Sequence, residues 1–347
     1  MKQAQRRPPN IVALFSAVFA TALLWSSPSR AADLNVKVSD HFPPGHVIPA
    51  TLLKPWMARV EELAGKKVRF THFPAQQLVK QNEALSAVQR RIVDIVLINP
   101  GLFPTEFPLT GVSFLPNGYD TVVHGGKALQ ELFRQPAIVD EFKRAGVRVL
   151  LIEPLDAYEA LTNRPVNRPA DLKGFKIRAA GEGQLAATRA LGATPATITA
   201  PEMYTSMQRG TIEGVLFGYS ISKSYKLDEV AKFGTLGANI AYAHVLYCVT
   251  EAAWNSWPAD VQASMTKAAA EVLPKAWQAL DKSTLDVIAA FQKSGVTITD
   301  VRKNGSAKEW QDLLRPVNDQ WAASMKARGF PGPEVLAAWE KALAAAR

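Results

Sequence analysis

The sequence has a single cysteine, Cys248, so no disulfide within the chain can brace its fold. Cys248 sits in the apolar run 244–250, where a small buried strand residue is the plain reading and a nucleophile the strained one. Metal chemistry has little to build on. The five histidines, His41, His46, His72, His124 and His244, show no HExxH-type pairing. Carboxylates are scattered, and Gly218-Tyr219-Ser220-Ile221-Ser222 falls one residue short of the GxSxG nucleophile elbow. No catalytic constellation, cofactor site or metal site can be assembled from these pieces, so the reading is of a protein that is not an enzyme. There is no internal repeat and no low-complexity tract beyond the alanine-rich end. After the first 31 residues no stretch is apolar enough to span a bilayer.

Acid is also missing from residues 1–31, and that absence is informative. Lys2, Arg6 and Arg7 form a charged start, residues 11–25 an apolar core, and Ser29-Arg30-Ala31 a small-residue cleavage site. The pattern is that of a secretory signal peptide cleaved near Ala31, which places the mature protein in the periplasm; an uncleaved anchor is the alternative. The net charge of +9 then overstates the mature chain, which keeps 36 basic and 31 acidic residues, a net +5. So mild an excess does not call for nucleic acid; small anionic ligands are the more economical inference. With 48% hydrophobic and 20% charged residues over 347 positions, the chain is globular and long enough for two domains.

What is present is an alternation of strand and helix. Strands are predicted at 34–39, 67–72 and 92–98, with helices at 49–63 and 77–90 between them. This is the pattern of a mostly parallel sheet with helices on its faces. Ligands on such sheets bind beyond the carboxyl ends of the strands. That rule points to His41, Phe42, Phe73, Gln76, Gln77, Asn99 and Pro100. A domain crossing is expected near 154–158 and a recrossing strand at 242–250. Residues 252–291 show helical periodicity, which Pro274 is expected to kink or split. Two further helices end the chain.

The stretch 165–219 organises the rest. Gly174-Phe175-Lys176-Ile177-Arg178 alternates like a strand, residues 179–183 form a small turn, and 184–191 read as a helix. Arg178 thus closes a strand opposite a helix start, and both features favour an anion. A guanidinium presents a fixed fork that matches a carboxylate, and a helix start adds free N–H groups. If Arg178 were merely structural, Asp171 or Glu182 would be its ion-pair partner. Gly181-Glu182-Gly183-Gln184-Leu185-Ala186 satisfies GxGxxA, with Glu202 about 20 residues on, as a dinucleotide fingerprint requires. It sits mid-chain, however, with Arg178 before the turn where an apolar residue belongs, so no nucleotide site is expected.

These residues resemble a known family. Arg164-Pro165-Val166, the run from Asp171 to Arg178, Leu191-Gly192-Ala193, Glu202-Met203-Tyr204 and the run from Gln208 to Gly214 are similar to the solute-binding subunits of TRAP (tripartite ATP-independent periplasmic) transporters, the dicarboxylate-binding (DctP) family. Phe73-Pro74-Ala75-Gln76-Gln77-Leu78 and the run from Val93 to Ile98 also fit. The resemblance implies an α/β, two-lobed periplasmic-binding-protein fold, with mostly parallel sheets flanked by helices and lobes joined by hinge strands and a long kinked helix. It implies an organic acid held by the arginine at Arg178 and delivered to membrane permease subunits. In sialic-acid-binding members a second arginine falls near Tyr158, an asparagine near Phe217 and a glutamate near Asn99. Here those positions differ, and sialic acid is not expected.

From the residues themselves, Tyr158, Phe217, Tyr219, Tyr242 and Phe42 are candidates to line one cleft, with His41, Asn99, His244 and Gln77 as polar contacts. Aromatic walls suit a monocarboxylate with an aromatic or apolar body, though a C4-type dicarboxylate stays open. The expected lobes are 32–155 with 244–282, and 156–243 with 283–347, in a monomer. An exported α/β enzyme acting on a carboxylate, or a receptor feeding a sensor, are the alternatives.

Overall fold

The computed structural model describes residues 34–65 and 67–347. The leader read from residues 1–31 lies outside the described residues. Among the described residues eleven strands follow one another: β1 (Leu34–Ser39), β2 (Val68–Phe73), β3 (Ile95–Ile98), β4 (Val147–Pro154), β5 (Glu159–Thr162), β6 (Lys176–Arg178), β7 (Thr194–Ala196), β8 (Gly214–Phe217), β9 (Phe233–Leu236), β10 (His244–Thr250) and β11 (Thr297–Asp300). They form two sheets, ordered β2-β1-β3-β10-β4 and β11-β9-β5-β8-β6-β7. In the first, β10 runs antiparallel to β3 and β4; in the second, β5 runs antiparallel to β8 and β9. All the other pairings are parallel.

The chain enters each of those two reversed strands straight from a strand of the other sheet, without the long helix that precedes β11. The crossing segments themselves pair. Leu155 N donates to Ala243 O at 2.9 Å, Tyr158 N to Ala241 O at 2.8 Å and Ile240 N to Tyr158 O at 3.1 Å. The Tyr119 hydroxyl donates to Leu155 O at 2.7 Å, with Ala243 O 3.2 Å away. The two lobes are therefore joined by a two-stranded hinge.

The central strands of the first sheet read as unbroken apolar runs because both of their faces are covered. Side chains alternate across a strand, so Ile95 and Leu97 enter one core while Val96 and Ile98 enter the other. Val245, Tyr247 and Val249 likewise oppose Leu246 and Cys248. Burial raises the Cys248 thiol pKa, in keeping with a packing role.

Five helices matter to the site: α1 (Lys54–Leu63), α2 (Val122–Leu132), α3 (Glu182–Ala190), α4 (Ala259–Lys293) and α5 (Gly332–Ala346). At 35 residues, α4 spans roughly 50 Å and touches both lobes. On the first, Trp56 Nε1 donates to Met265 O, Trp277 Nε1 to Ile152 O, and Asp281 accepts from Val122 N and Val123 N at the start of α2. On the second, Ser283 Oγ donates to Ser220 O and Phe291 packs edge-on against Tyr219. The sequence predicts a kink or a split at Pro274; α4 is not split there and runs on as one helix. Proline removes one N–H from the ladder, but Val272, Leu273, Ala276 and Trp277, buried on either side, hold the helix in place.

The C-terminal helices, expected with the second lobe from their place in the chain, also pack on the first. Val335, Leu336 and Trp339 of α5 share a core with Leu129 and Leu132 of α2, and His124 Nε2 lies 2.8 Å from Leu343 O. An amphipathic helix goes where an apolar face is open, and α2 offers one.

Candidate functional site

Arg178 ends β6 and is 1% exposed. Its Nε donates to Ile198 O at 2.9 Å, and Nη1 lies 3.5 Å from Leu216 O, so a carbonyl just past β7 and one within β8 fix the guanidinium. The Tyr158 hydroxyl lies against it, and its charge centre stands 5.6 Å from the Phe217 ring centroid. Burial lowers the Arg178 pKa, with Tyr158 and Tyr225 opposing the shift. The alternative ion-pair partners are engaged elsewhere: Glu182 pairs with Arg328 at 3.0 Å, and Asp171 accepts from Asn167 N and Arg168 N. Among the described residues no carboxylate lies within ion-pair distance of Arg178. Burying a cation without a counter-ion is costly unless an anion arrives to offset it.

Around this cation the side chains close a ring. Tyr158 packs on Phe217 (centroids 5.4 Å apart), Phe217 on Tyr225 (5.6 Å), Tyr225 on His46 (5.5 Å), His46 on Phe42 (4.0 Å) and Phe42 on His41 (4.6 Å). His41 faces Arg178 again; burial, and then the Arg178 charge, push its pKa down to about 3, so it is neutral. His41, Phe42 and His46 come from the loop after β1 in the first lobe. Tyr158, Arg178, Phe217 and Tyr225 come from the hinge and second lobe. The ring therefore spans both lobes.

Of the residues singled out from the sequence, Arg178, Tyr158, Phe217, His41 and Phe42 are brought together. The others are placed differently. Asn99 caps the turn Pro100–Leu102, its Oδ1 accepting from Gly101 N at 3.0 Å. Tyr219 donates to Thr235 O at 2.8 Å and lines a separate cavity of about 440 Å³ with Tyr119, Asp156 and Arg302. Tyr242 packs at a tilt against Tyr119, 4.5 Å between centroids, in the core beside α2. His244 is fully buried next to Phe114, with Nδ1 3.2 Å from Ser113 Oγ, and burial alone pushes its pKa down to about 3. Gln77 is exposed.

Three ring or ring-edge residues escape the sequence reading: His46, Tyr225 and Gln81. Gln81 is buried; its Nε2 lies 3.2 Å from His41 Nε2 and its Oε1 accepts from Ala200 N across the lobes at 3.1 Å. The spacing His41-Phe42-Pro43-Pro44-Gly45-His46 held a usable signal, since a tight turn returns the second histidine to the first.

The GxGxxA motif does other work. Gly181 has φ +94°, a conformation glycine adopts freely, and a Cβ there would stand 3.1 Å from Gly101 Cα in the other lobe. Glu202 is spent on its own helix start, accepting from Thr199 N and Oγ1.

Comparison with known proteins agrees with this architecture. The family model for bacterial extracellular solute-binding protein, family 7 (DctP), matches residues 38–324. The C4-dicarboxylate-binding periplasmic protein DctP of Rhodobacter capsulatus is 26% identical over 337 residues, covering 94% of this chain and 96% of that protein. A TRAP solute-binding protein from Rhodoferax ferrireducens, solved with copurified benzoate, superposes with a TM-score of 0.83 at 22% identity, covering 90% of this chain and 98% of the other. A TRAP periplasmic solute-binding protein from Bordetella bronchiseptica, with bound (R)- and (S)-mandelate, gives 0.81 at 22% identity, covering 90% and 100%. No helix among the described residues is long and apolar enough to cross a membrane. With that family model running through both sheets and the hinge, the chain belongs to the DctP family of TRAP transporter solute-binding proteins.

Proposed function

We propose that this protein is the extracytoplasmic receptor of a TRAP transporter, and that it captures an organic acid between its lobes and hands it to the membrane permease. The observation that carries the reading is Arg178: a buried cation, without a carboxylate partner among the described residues, inside a ring of aromatic side chains drawn from both lobes. The ligand carboxylate takes the guanidinium N–H groups that the Ile198 and Leu216 carbonyls leave free, and the lobes close about the two-stranded hinge.

A carboxylate with an aromatic or apolar body fits best. Arg178 is the one charged member of the ring, because His41 and His46 are both held neutral by burial. A second carboxylate would find no second cation there. The relatives support both readings, since the solved neighbours hold benzoate and mandelate while the Rhodobacter relative is a C4-dicarboxylate binder. Isothermal titration of the mature protein with benzoate, mandelate and succinate tests the point. Saturable binding of an aromatic monocarboxylate, tighter than succinate, is expected; binding of succinate alone overturns the monocarboxylate reading, and binding of none overturns the receptor reading.

A further inference from the structure

The ring holds two buried polar atoms that find no partner among the described residues: His46 Nε2 and the Tyr225 hydroxyl. They belong to adjacent rings set edge to face, 5.5 Å between centroids. The state of each follows from its surroundings. His46 is 1% exposed and its pKa lies well below the ordinary histidine value because burial disfavours the charge, so the imidazole is neutral. Its Nδ1 accepts from Ile48 N at 3.2 Å. The single proton is therefore on Nε2, which stands as a donor without an acceptor. Tyr225 keeps its phenolic proton, since burial raises its pKa, and can donate or accept.

An unsatisfied buried donor costs free energy, and buried polar groups are as a rule hydrogen-bonded. The chemistry of the pair then selects what completes it. A ligand ammonium would set donor against donor. A second carboxylate would be desolvated against neutral partners only, and close to the Asp40 carboxylate, which already accepts from Phe42 N, Tyr247 and His72. A hydroxyl, keto or ether oxygen accepts from His46 Nε2 and exchanges a hydrogen bond with Tyr225 at no charge cost.

We infer that His46 and Tyr225 form a second recognition point for an uncharged oxygen on the ligand, so that the receptor selects oxygen-substituted monocarboxylates over their unsubstituted parents and over dicarboxylates. The inference rests on the carboxylate reading given above. It makes His46 and Tyr225 specificity determinants, while Arg178 supplies the shared carboxylate anchor.

The test is isothermal titration of the mature protein with matched acids: benzoate with 3- and 4-hydroxybenzoate, phenylacetate with its 3- and 4-hydroxy derivatives and with mandelate, and isophthalate and terephthalate as charged counterparts. At least one oxygen-substituted acid is expected to bind about tenfold or more tighter than its parent, as a site built to hydrogen-bond an oxygen requires. That advantage, read as the ratio of substituted to parent affinity within each variant, should fall to about twofold or less in Tyr225→Phe and in His46→Phe, with a cooperative melting transition showing that each variant folds. Equal affinities for parent and substituted acids, a preferred dicarboxylate, or an advantage that survives in both variants overturns the inference and leaves the receptor reading standing. If none of the acids binds, or if Arg178→Ala binds them like the wild type, the receptor reading falls and this inference with it.

Discussion

Gln81 and Ala200 join the two lobes through one hydrogen bond, 3.1 Å from Ala200 N to Gln81 Oε1. Gln81 lies after β2 in the first lobe, and Ala200 starts a turn after β7 in the second. The same amide reaches His41, so the contact ties closure to the wall of the site. Gln81→Ala should weaken ligand binding about two- to tenfold, the worth of one hydrogen bond, through a faster dissociation rate. Stopped-flow release of a bound aromatic acid checks this, and an unchanged rate would refute the latch.

Arg178 is expected to cost the free protein stability while it supplies affinity. Arg178→Met should therefore raise the melting temperature of the unliganded protein and lower affinity by a hundredfold or more, since breaking a desolvated ion pair costs about 3–5 kcal/mol. Arg178→Lys should bind nearly as poorly, because an ammonium cannot reproduce the planar fork. Melting curves with and without ligand, together with titration, measure both effects; a wild-type affinity in either variant would contradict the assignment.

Gly183 acts through closeness of approach. A Cβ there would lie 2.8 Å from the backbone of Phe114, which belongs to the first lobe. Gly183→Ala wedges the lobes apart, at a cost of about 1–3 kcal/mol. The expected result is a larger radius of gyration with ligand present, by small-angle X-ray scattering, and weaker binding.

Two hinge carboxyls titrate near neutrality. Burial pushes Asp156 up to about 6 and Glu159 up to about 7, although Ser220 hydrogen-bonds the first and Thr235, Gly237 and Asn239 the second. A carboxyl whose pKa is raised by folding stays protonated in the native state after the unfolded chain has lost its proton. Its contribution is therefore favourable at low pH and is lost as pH rises from about 4 to about 7. The buried histidines His41 and His244 work in the opposite sense, losing stability as pH falls from about 6.5 towards 3. Comparing variant with wild type isolates the carboxyl: relative to the wild type, Asp156→Asn should gain up to about 3 kcal/mol between pH 4 and pH 7. Urea unfolding across that range measures it, and parallel pH profiles would discount the shift.

The fold was legible in the sequence where local pattern and tertiary role coincide. The strand at 34–39 alternates because one face is buried more than the other, and Arg178 stands out because charge at a strand end facing a glycine turn has few uses. Glu202 and Gly183 mimic a nucleotide fingerprint, which the sequence reading sets aside, because helix capping and close lobe contact favour the same residue types. Tyr219 and Tyr242 were drawn towards the cleft by their aromaticity, yet aromatic rings serve cores equally well, and only the sheet register separates the two uses. Tyr225 and Gln81 come to the ring through long-range packing, which no local spacing encodes, whereas His46 had its signal in the turn that follows His41.

The place of β10 sets an order of assembly. It lies between β3 and β4, about 150 and 100 residues earlier in the chain, and those two strands touch only through it. A nascent chain that has emerged as far as residue 240 still holds two separate pieces of the first sheet. Such distant pairing slows folding. The first sheet therefore closes late, once β10 has been made and can bring β3 and β4 together.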